Sequence, residues 1–221
     1  MKLRGAIFDM DGTLVDSMGM WYRIDDTIFE MIGQELTPEV RKVLCVKSLS
    51  GSVDYCLEHY PAVCTRQELL DGVMQHIRAF YGEEAEAKPG AAEFLTELQR
   101  RGVKICLATA TNRPEVEIAL KHTGLDRYIS FIRTCEEAGA DKTRPDIFEQ
   151  CLPLLSCSRE ECIVFEDSPI ALRTAREAGF PTAGVCDPHW ESAQEELRST
   201  ADYYLPSFTE WKHVFPDLTQ E

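Results

Sequence analysis

The sequence contains no apolar run approaching the roughly eighteen residues that a membrane-spanning helix requires, and its opening stretch MKLRGAIFDM carries too short an apolar segment for a secretory signal. Both observations argue for a globular chain with no membrane partner, expected in the cytoplasm. There is no CxxC pair. The nine cysteines, at positions 45, 56, 64, 106, 135, 151, 157, 162 and 186, form an odd set without metal-ligand spacing. That excludes a disulfide framework and a zinc site and leaves reduced thiols, several of them core residues. Positive charge is scarce: 23 Lys and Arg stand against 38 Asp and Glu, a formal charge of −15. That works against a nucleic-acid partner, and none is expected, because such affinity rests on Lys and Arg displacing counterions. Any anionic ligand must be small and compensated locally. The five histidines show no HExxH spacing, and no repeat or low-complexity tract interrupts the chain.

What the sequence does have is 44% hydrophobic residues over 221 positions, enough for a substantial core. Short runs rich in β-formers recur: Leu3 to Phe8, VKICLAT at 103–109, YISFIRT at 128–134, CIVFED at 162–167, TAGVC at 182–186 and, more weakly, DYYL at 202–205. Between them lie helix signals. PGAAEFLTELQRRG, RPEVEIALKHTG and SPIALRTAREAG each place Pro near the start and Gly at the end. The alternation predicts an α/β fold, a Rossmann-like parallel sheet with helices on both faces. One connection is abnormal, since about ninety residues separate Asp11 from Val103, where a crossover usually needs one helix. The segments SMGMWYRIDDTIFEMIG, TPEVRKVLC, SVDYCLEHY and TRQELLDGVMQHIRAFYG within it are amphipathic. The expected organisation is therefore a core domain of residues 1–16 and 87–221 and an inserted helical-bundle domain of residues 17–86, attached at VDS and GEEAEAKPG.

Ligands of open parallel sheets bind beyond the carboxyl ends of the strands, and the polar residues collect there. Asp9 and Asp11 follow the first run, Thr109 ends the second, and Glu166 with Asp167 end the run at 162–167. Period two points Asp9 and Asp11 the same way. Four carboxylates on one rim repel one another unless a cation joins them, and oxygen-only ligands suit a hard ion, most simply Mg²⁺. Taken singly, each residue has an ordinary explanation. An Asp at a strand end is commonly a turn former or helix cap, Ser168 fits an N-cap, Thr109 fits a strand, and Lys142 is one of 23 cations. Order and placement together carry the functional reading.

That order, DMDGTLVDS, LATAT, DKTRPDIF and VFEDSPIALRTAREAGF, resembles the four sequential motifs of the haloacid dehalogenase-like hydrolase superfamily. The likeness is to the branch of β-phosphoglucomutase and small-molecule phosphatases with a helical cap, and it spans essentially the whole chain. The resemblance implies that Asp9 is the nucleophile that takes a phosphoryl group. It implies that Asp11 is the acid for the leaving oxygen and then the base for water. Thr109 and the backbone at Ala110 would hold a phosphate oxygen, with Lys142 balancing charge. Mg²⁺ would be bound by Asp9, the Asp11 carbonyl and Asp167, with Glu166 as a further ligand or just behind them. The implied partner is a small phosphorylated metabolite and the implied state a monomer. Asp11 disfavours dehalogenase and phosphonate-cleaving relatives, which lack an acid there. β-Phosphoglucomutase has a cap histidine where this chain has Trp21 and a cap arginine near Gly51, with Lys47 the nearby cation; these departures favour a phosphatase over a mutase. Met18 and Trp21, at helical spacing, fit packing within the insertion. A non-catalytic phosphate-binding module is the remaining alternative, with loss of Asp9 or Asp11 as its expected sign; both are present.

Overall fold

A computed structural model describes residues 3–44, 47–61, 64–189 and 194–219; Cys45, counted above among the thiols, lies outside them. Contacts divide the chain into two compact units, Met1–Met18 with Ala85–Glu221, and Gly19–Glu84.

The strands of the larger unit are β1 (Gly5–Phe8), β2 (Val15–Asp16), β3 (Glu86–Ala87), β4 (Lys104–Thr109), β5 (Phe131–Thr134), β6 (Cys162–Glu166), β7 (Thr182–Val185) and β8 (Tyr203–Leu205). Six of them form one sheet in the order β5-β4-β1-β6-β7-β8, with every neighbouring pair parallel. Each βαβ crossover in such a sheet needs helices on its faces, and the chain supplies them. β1 is central. Phe8 pairs with Leu107 on one side and Phe165 on the other, and the ladder runs one step further as the Asp9 N–H donates to the Phe165 carbonyl at 3.0 Å.

The helices of this unit include α6 (Ala91–Arg100), α7 (Arg113–Thr123), the single turns α8 (Cys135–Ala138), α9 (Asp146–Glu149) and α10 (Leu152–Leu155), then α11 (Pro169–Glu177), α12 (Gln194–Thr200) and the turn α13 (Trp211–Val214). Alternation along the strands builds two apolar layers. Ile7, Cys106, Ala108, Cys162 and Val164 pack with Ile147, Phe148, Cys151, Ala171 and Ala175 on one side. On the other, Phe8 stacks on Phe165 at 4.2 Å, and Phe94 meets both rings edge-on.

The smaller unit contains α1 (Met18–Tyr22, whose first residue belongs to the larger unit), α2 (Ile24–Met31), α3 (Pro38–Leu44), α4 (Leu49–His59) and α5 (Arg66–Glu83). The stretch expected as one segment from Ser17 is two helices. Arg23 breaks it, because its Nε donates to the Gly19 carbonyl at 3.1 Å and its N–H turns instead to the Met20 carbonyl. α4 starts earlier than the pattern suggests, since the Ser48 hydroxyl caps it by accepting from the Gly51 N–H. A capping box of Thr65 and Glu68 opens α5. Ile28, Phe29, Val53, Cys56, Leu69, Val73, Ile77 and Tyr81 are buried together, and the Trp21 indole N–H donates to the Tyr81 hydroxyl at 3.0 Å. The segments that flank this unit pair with each other: β2 and β3 form an antiparallel ribbon, Val15 opposite Ala87 and Asp16 opposite Glu86. No helix among the described residues is long and apolar enough to cross a membrane.

Candidate active site

The carboxyl ends of β1, β4 and β6 lie side by side because their registers align, and each delivers side chains to one rim. Asp9 follows β1 directly and is 8% exposed. After it the chain folds into a tight turn, in which Gly12 N–H donates to the Val15 carbonyl and Leu14 and Val15 N–H both donate to the Met10 carbonyl. Glycine is required at the turn for two reasons. Gly12 has φ +74°, and a Cβ there would sit 2.3 Å from Asp167 Oδ2. The turn also puts the Thr13 hydroxyl 3.0 Å from Asp167 Oδ1, to which it donates.

Lys142 reaches the rim from the loop after α8. Gly139, at φ +69°, ends that helix, and Asp141 folds the loop by accepting from the Thr143 N–H at 2.9 Å. The Lys142 ammonium donates to Asp9 Oδ1 at 2.5 Å and to Glu166 Oε1 at 2.6 Å. Glu166, fully buried, also accepts from the Ser168 N–H through Oε2. Carboxylate oxygens of Asp9, Glu166 and Asp167 all lie within 4.8 Å of one another. Three carboxylates therefore face one ammonium, and the electrostatics show the imbalance. Burial drives the Asp9 carboxyl well above its ordinary range; Lys142 offsets part of this, while Glu166, Asp167 and Asp11 add to it. Burial and then Glu166 push Asp167 up to about 7. Burial works against the Lys142 charge, but Asp9 and Glu166 outweigh it and hold the amine protonated, above its ordinary value. Three carboxyl groups set against one ammonium in an all-oxygen cluster fit a hard divalent cation and do not fit a soft one.

The Asp11 carboxylate is outside this cluster. It accepts from the Ser17 hydroxyl at 2.6 Å and the Thr111 hydroxyl at 2.7 Å. Thr109, fully buried at the end of β4, accepts the Thr111 N–H on its hydroxyl at 3.1 Å, and Ala110 beside it is exposed. The structure thus gathers Asp9, Lys142, Glu166 and Asp167 into one contact network and links Asp11 to Thr109 through Thr111. Sequence reasoning did not single out Thr13, Ser17 and Thr111. Thr111 had a signal, standing two residues beyond Thr109 and so on the same face if the extended chain continues. For Ser17 there was none, since only the turn and the β2–β3 ribbon bring it back to Asp11.

The chain is similar to known proteins in sequence and fold. Residues 6–185 match the family model described as haloacid dehalogenase-like hydrolase. The Drosophila melanogaster protein named "Probable pseudouridine-5′-phosphatase" is 27% identical, the match covering 95% of this chain and 97% of that protein. Hexitol phosphatase A of Escherichia coli is 29% identical over 85% of each. The structure of CbbY from Rhodobacter sphaeroides in complex with phosphate superposes with a TM-score of 0.75 at 25% identity, covering 94% of this chain and 96% of that one. With four motifs in order, the parallel sheet and a family match over most of its length, the chain belongs to the haloacid dehalogenase-like hydrolases, among the phosphatases of that family.

Proposed function

We propose that the protein is a Mg²⁺-dependent phosphatase that hydrolyses a small phosphomonoester, a sugar, polyol or nucleoside phosphate, through an aspartyl-phosphate on Asp9. The observation that carries this reading is the Lys142 ammonium held between Asp9 and Glu166 with Asp167 alongside. A bound Mg²⁺ would be held by Asp9, Asp167 and the Asp11 carbonyl and would supply positive charge for the phosphoryl oxygens. Lys142 keeps Asp9 oriented by its Oδ1 and leaves the other oxygen to attack phosphorus. A carboxylate is a competent nucleophile there and forms a labile acyl phosphate. Asp11, fixed by Ser17 and Thr111, is set apart from the cluster and so carries the proton to the leaving oxygen, then takes one from the attacking water. Thr109 and the Ala110 backbone receive a phosphate oxygen.

Support for the substrate class comes from relatives named for hexitol and pseudouridine-5′-phosphate hydrolysis and from the phosphate complex of CbbY. The helical unit of residues 17–86 acts as the cap that selects among them. Eight free cysteines among the described residues support a reducing compartment, the cytoplasm. The mutase reading gains nothing from the cap residues: the Trp21 indole is committed to Tyr81, Gly51 lies in the first turn of α4, and Lys47 is exposed over the Tyr55 ring. The test is kcat/KM across sugar, polyol and nucleoside monophosphates, with and without EDTA. Chelation is expected to stop turnover and Mg²⁺ to restore it, with Ca²⁺ a poor substitute because it accepts more ligands at longer distance. Undiminished activity after exhaustive chelation contradicts the proposal.

A further inference from the structure

At the opposite end of the sheet from the acidic rim, two sulfurs meet. Cys162 opens β6 and pairs in register with Gly5, the first residue of β1. Cys157 lies on the loop after α10, and the chain reaches it through Ser156, held in the left-handed region at φ +57°. That turn brings Cys157 back over β1 instead of continuing away from the sheet. The place that a Cβ on Gly5 would occupy is 2.7 Å from Cys157 Sγ, 3.0 Å from Cys162 Sγ and 3.2 Å from Leu155 Cδ1. Both sulfurs therefore border the same small space, which exists because residue 5 has no side chain.

We propose that Cys157 and Cys162 are a redox-modification site, a dithiol that closes to an intramolecular disulfide when a low-molecular-weight disulfide reaches Cys157. The two thiols differ in the way such a reaction needs. Cys157 is half-buried, whereas Cys162 is fully buried. A hydrogen bond from Cys162, with Arg4 and Lys104 nearby, draws the Cys157 thiol below its ordinary value against burial and Glu161. The hydrogen bond to Cys157, together with burial, keeps Cys162 a thiol. The Cys157 thiolate attacks one sulfur of the disulfide RSSR, forming Cys157–S–S–R and releasing RS⁻. RS⁻ takes the Cys162 proton; the Cys162 sulfur then attacks Cys157 and expels the second RS⁻, which is protonated by water. Two protein thiols are oxidised and one RSSR is reduced to two RSH. The closed loop is short, so little chain entropy is removed and stability is a weak readout. The covalent bond itself is the readout to use. The inference is independent of the phosphatase reading, because it involves no residue of the acidic rim.

The test uses the native full chain and glutathione disulfide, followed by alkylation without reduction, tryptic digestion and mass spectrometry. Arg159 lies between the two cysteines, so cleavage there separates them and the disulfide appears as two joined peptides. They are lighter than their sum by two hydrogen atoms. The joined pair is expected in the wild type, together with loss of two alkylatable thiols, and both return after reduction. Cys151 shares the tryptic peptide of Cys157, so the link should persist in Cys151→Ser and vanish in Cys157→Ser. Full alkylation of both thiols after oxidation would overturn the proposal. So would a mixed disulfide on Cys157 that Cys162 never displaces, or a link that survives in Cys157→Ser.

Discussion

At the scale of single residues, the site is governed by charge in a place that water scarcely reaches. Lys142 is the residue whose loss distinguishes this account from a merely structural one. Without its ammonium, Asp9 loses the contact that orients it and Glu166 keeps a buried charge with no cation beside it. Lys142→Ala is therefore expected to lower kcat/KM by roughly 3 kcal/mol, comparable to removing one oxyanion-hole donor, or about two orders of magnitude. Steady-state kinetics at saturating Mg²⁺ checks it, and a loss below tenfold would show that Lys142 does not face the reacting group. Lys142, one of 23 cations, stood out only through the likeness of DKTRPDIF to a family motif, whereas Asp9, Asp11 and Asp167 were legible in the sequence as carboxylates just past a strand. Thr13 and Ser17 were not, and Thr111 was signalled only by its place two residues beyond Thr109. Hydroxyls are common everywhere, and only tertiary structure shows that these three point at the Asp167 and Asp11 carboxylates.

At the scale of elements, the turn after β1 does more than reverse the chain. It sets Thr13 on Asp167, leads into β2 and leaves space for Asp167 Oδ2 where a larger residue would stand. Gly12→Ala forces an L side chain into φ +74° and into a carboxylate oxygen 2.3 Å away. The strain alone exceeds about 1 kcal/mol. Urea unfolding should show that loss together with a fall in cation affinity; retention of both would mean the turn has slack that the geometry denies it. The strands β1, β4 and β6 were readable as apolar runs because parallel strands buried on both faces must be apolar throughout. The β2–β3 ribbon was not, because two-residue strands have no periodicity to detect. Its sequence ends, VDS and GEEAEAKPG, were visible only as the two points where the insertion joins. The break at Arg23 was hidden for a different reason: a side chain taking the carbonyl of the preceding turn changes no hydrophobic pattern.

At the scale of the whole molecule, the excess of acid over base sets up a conflict between long-range and local fields. A net charge of −15 repels a phosphate dianion from the surface, while under the proposed function Lys142 and a bound divalent cation would attract it at the rim. Screening shortens the reach of the repulsion, from about 30 Å at low salt to about 8 Å at physiological ionic strength. KM for a phosphomonoester should accordingly fall as a non-coordinating salt is raised over that range, with kcat little changed, and a KM that rises throughout would show that local cations dominate capture. The central claim is that Asp9 carries the phosphoryl group. It is tested most directly by the mass of the intact Asp11→Asn protein after brief mixing with Mg²⁺ and an activated phosphomonoester and an acid quench. With the leaving group activated, the acid is dispensable for the first step but the base is missing from the second. The account predicts a single added phosphoryl group, located to Asp9 by peptide mapping and removed by hydroxylamine. Turnover at the wild-type rate with no phosphorylated protein, or a phosphoryl group on any residue other than Asp9, would contradict it.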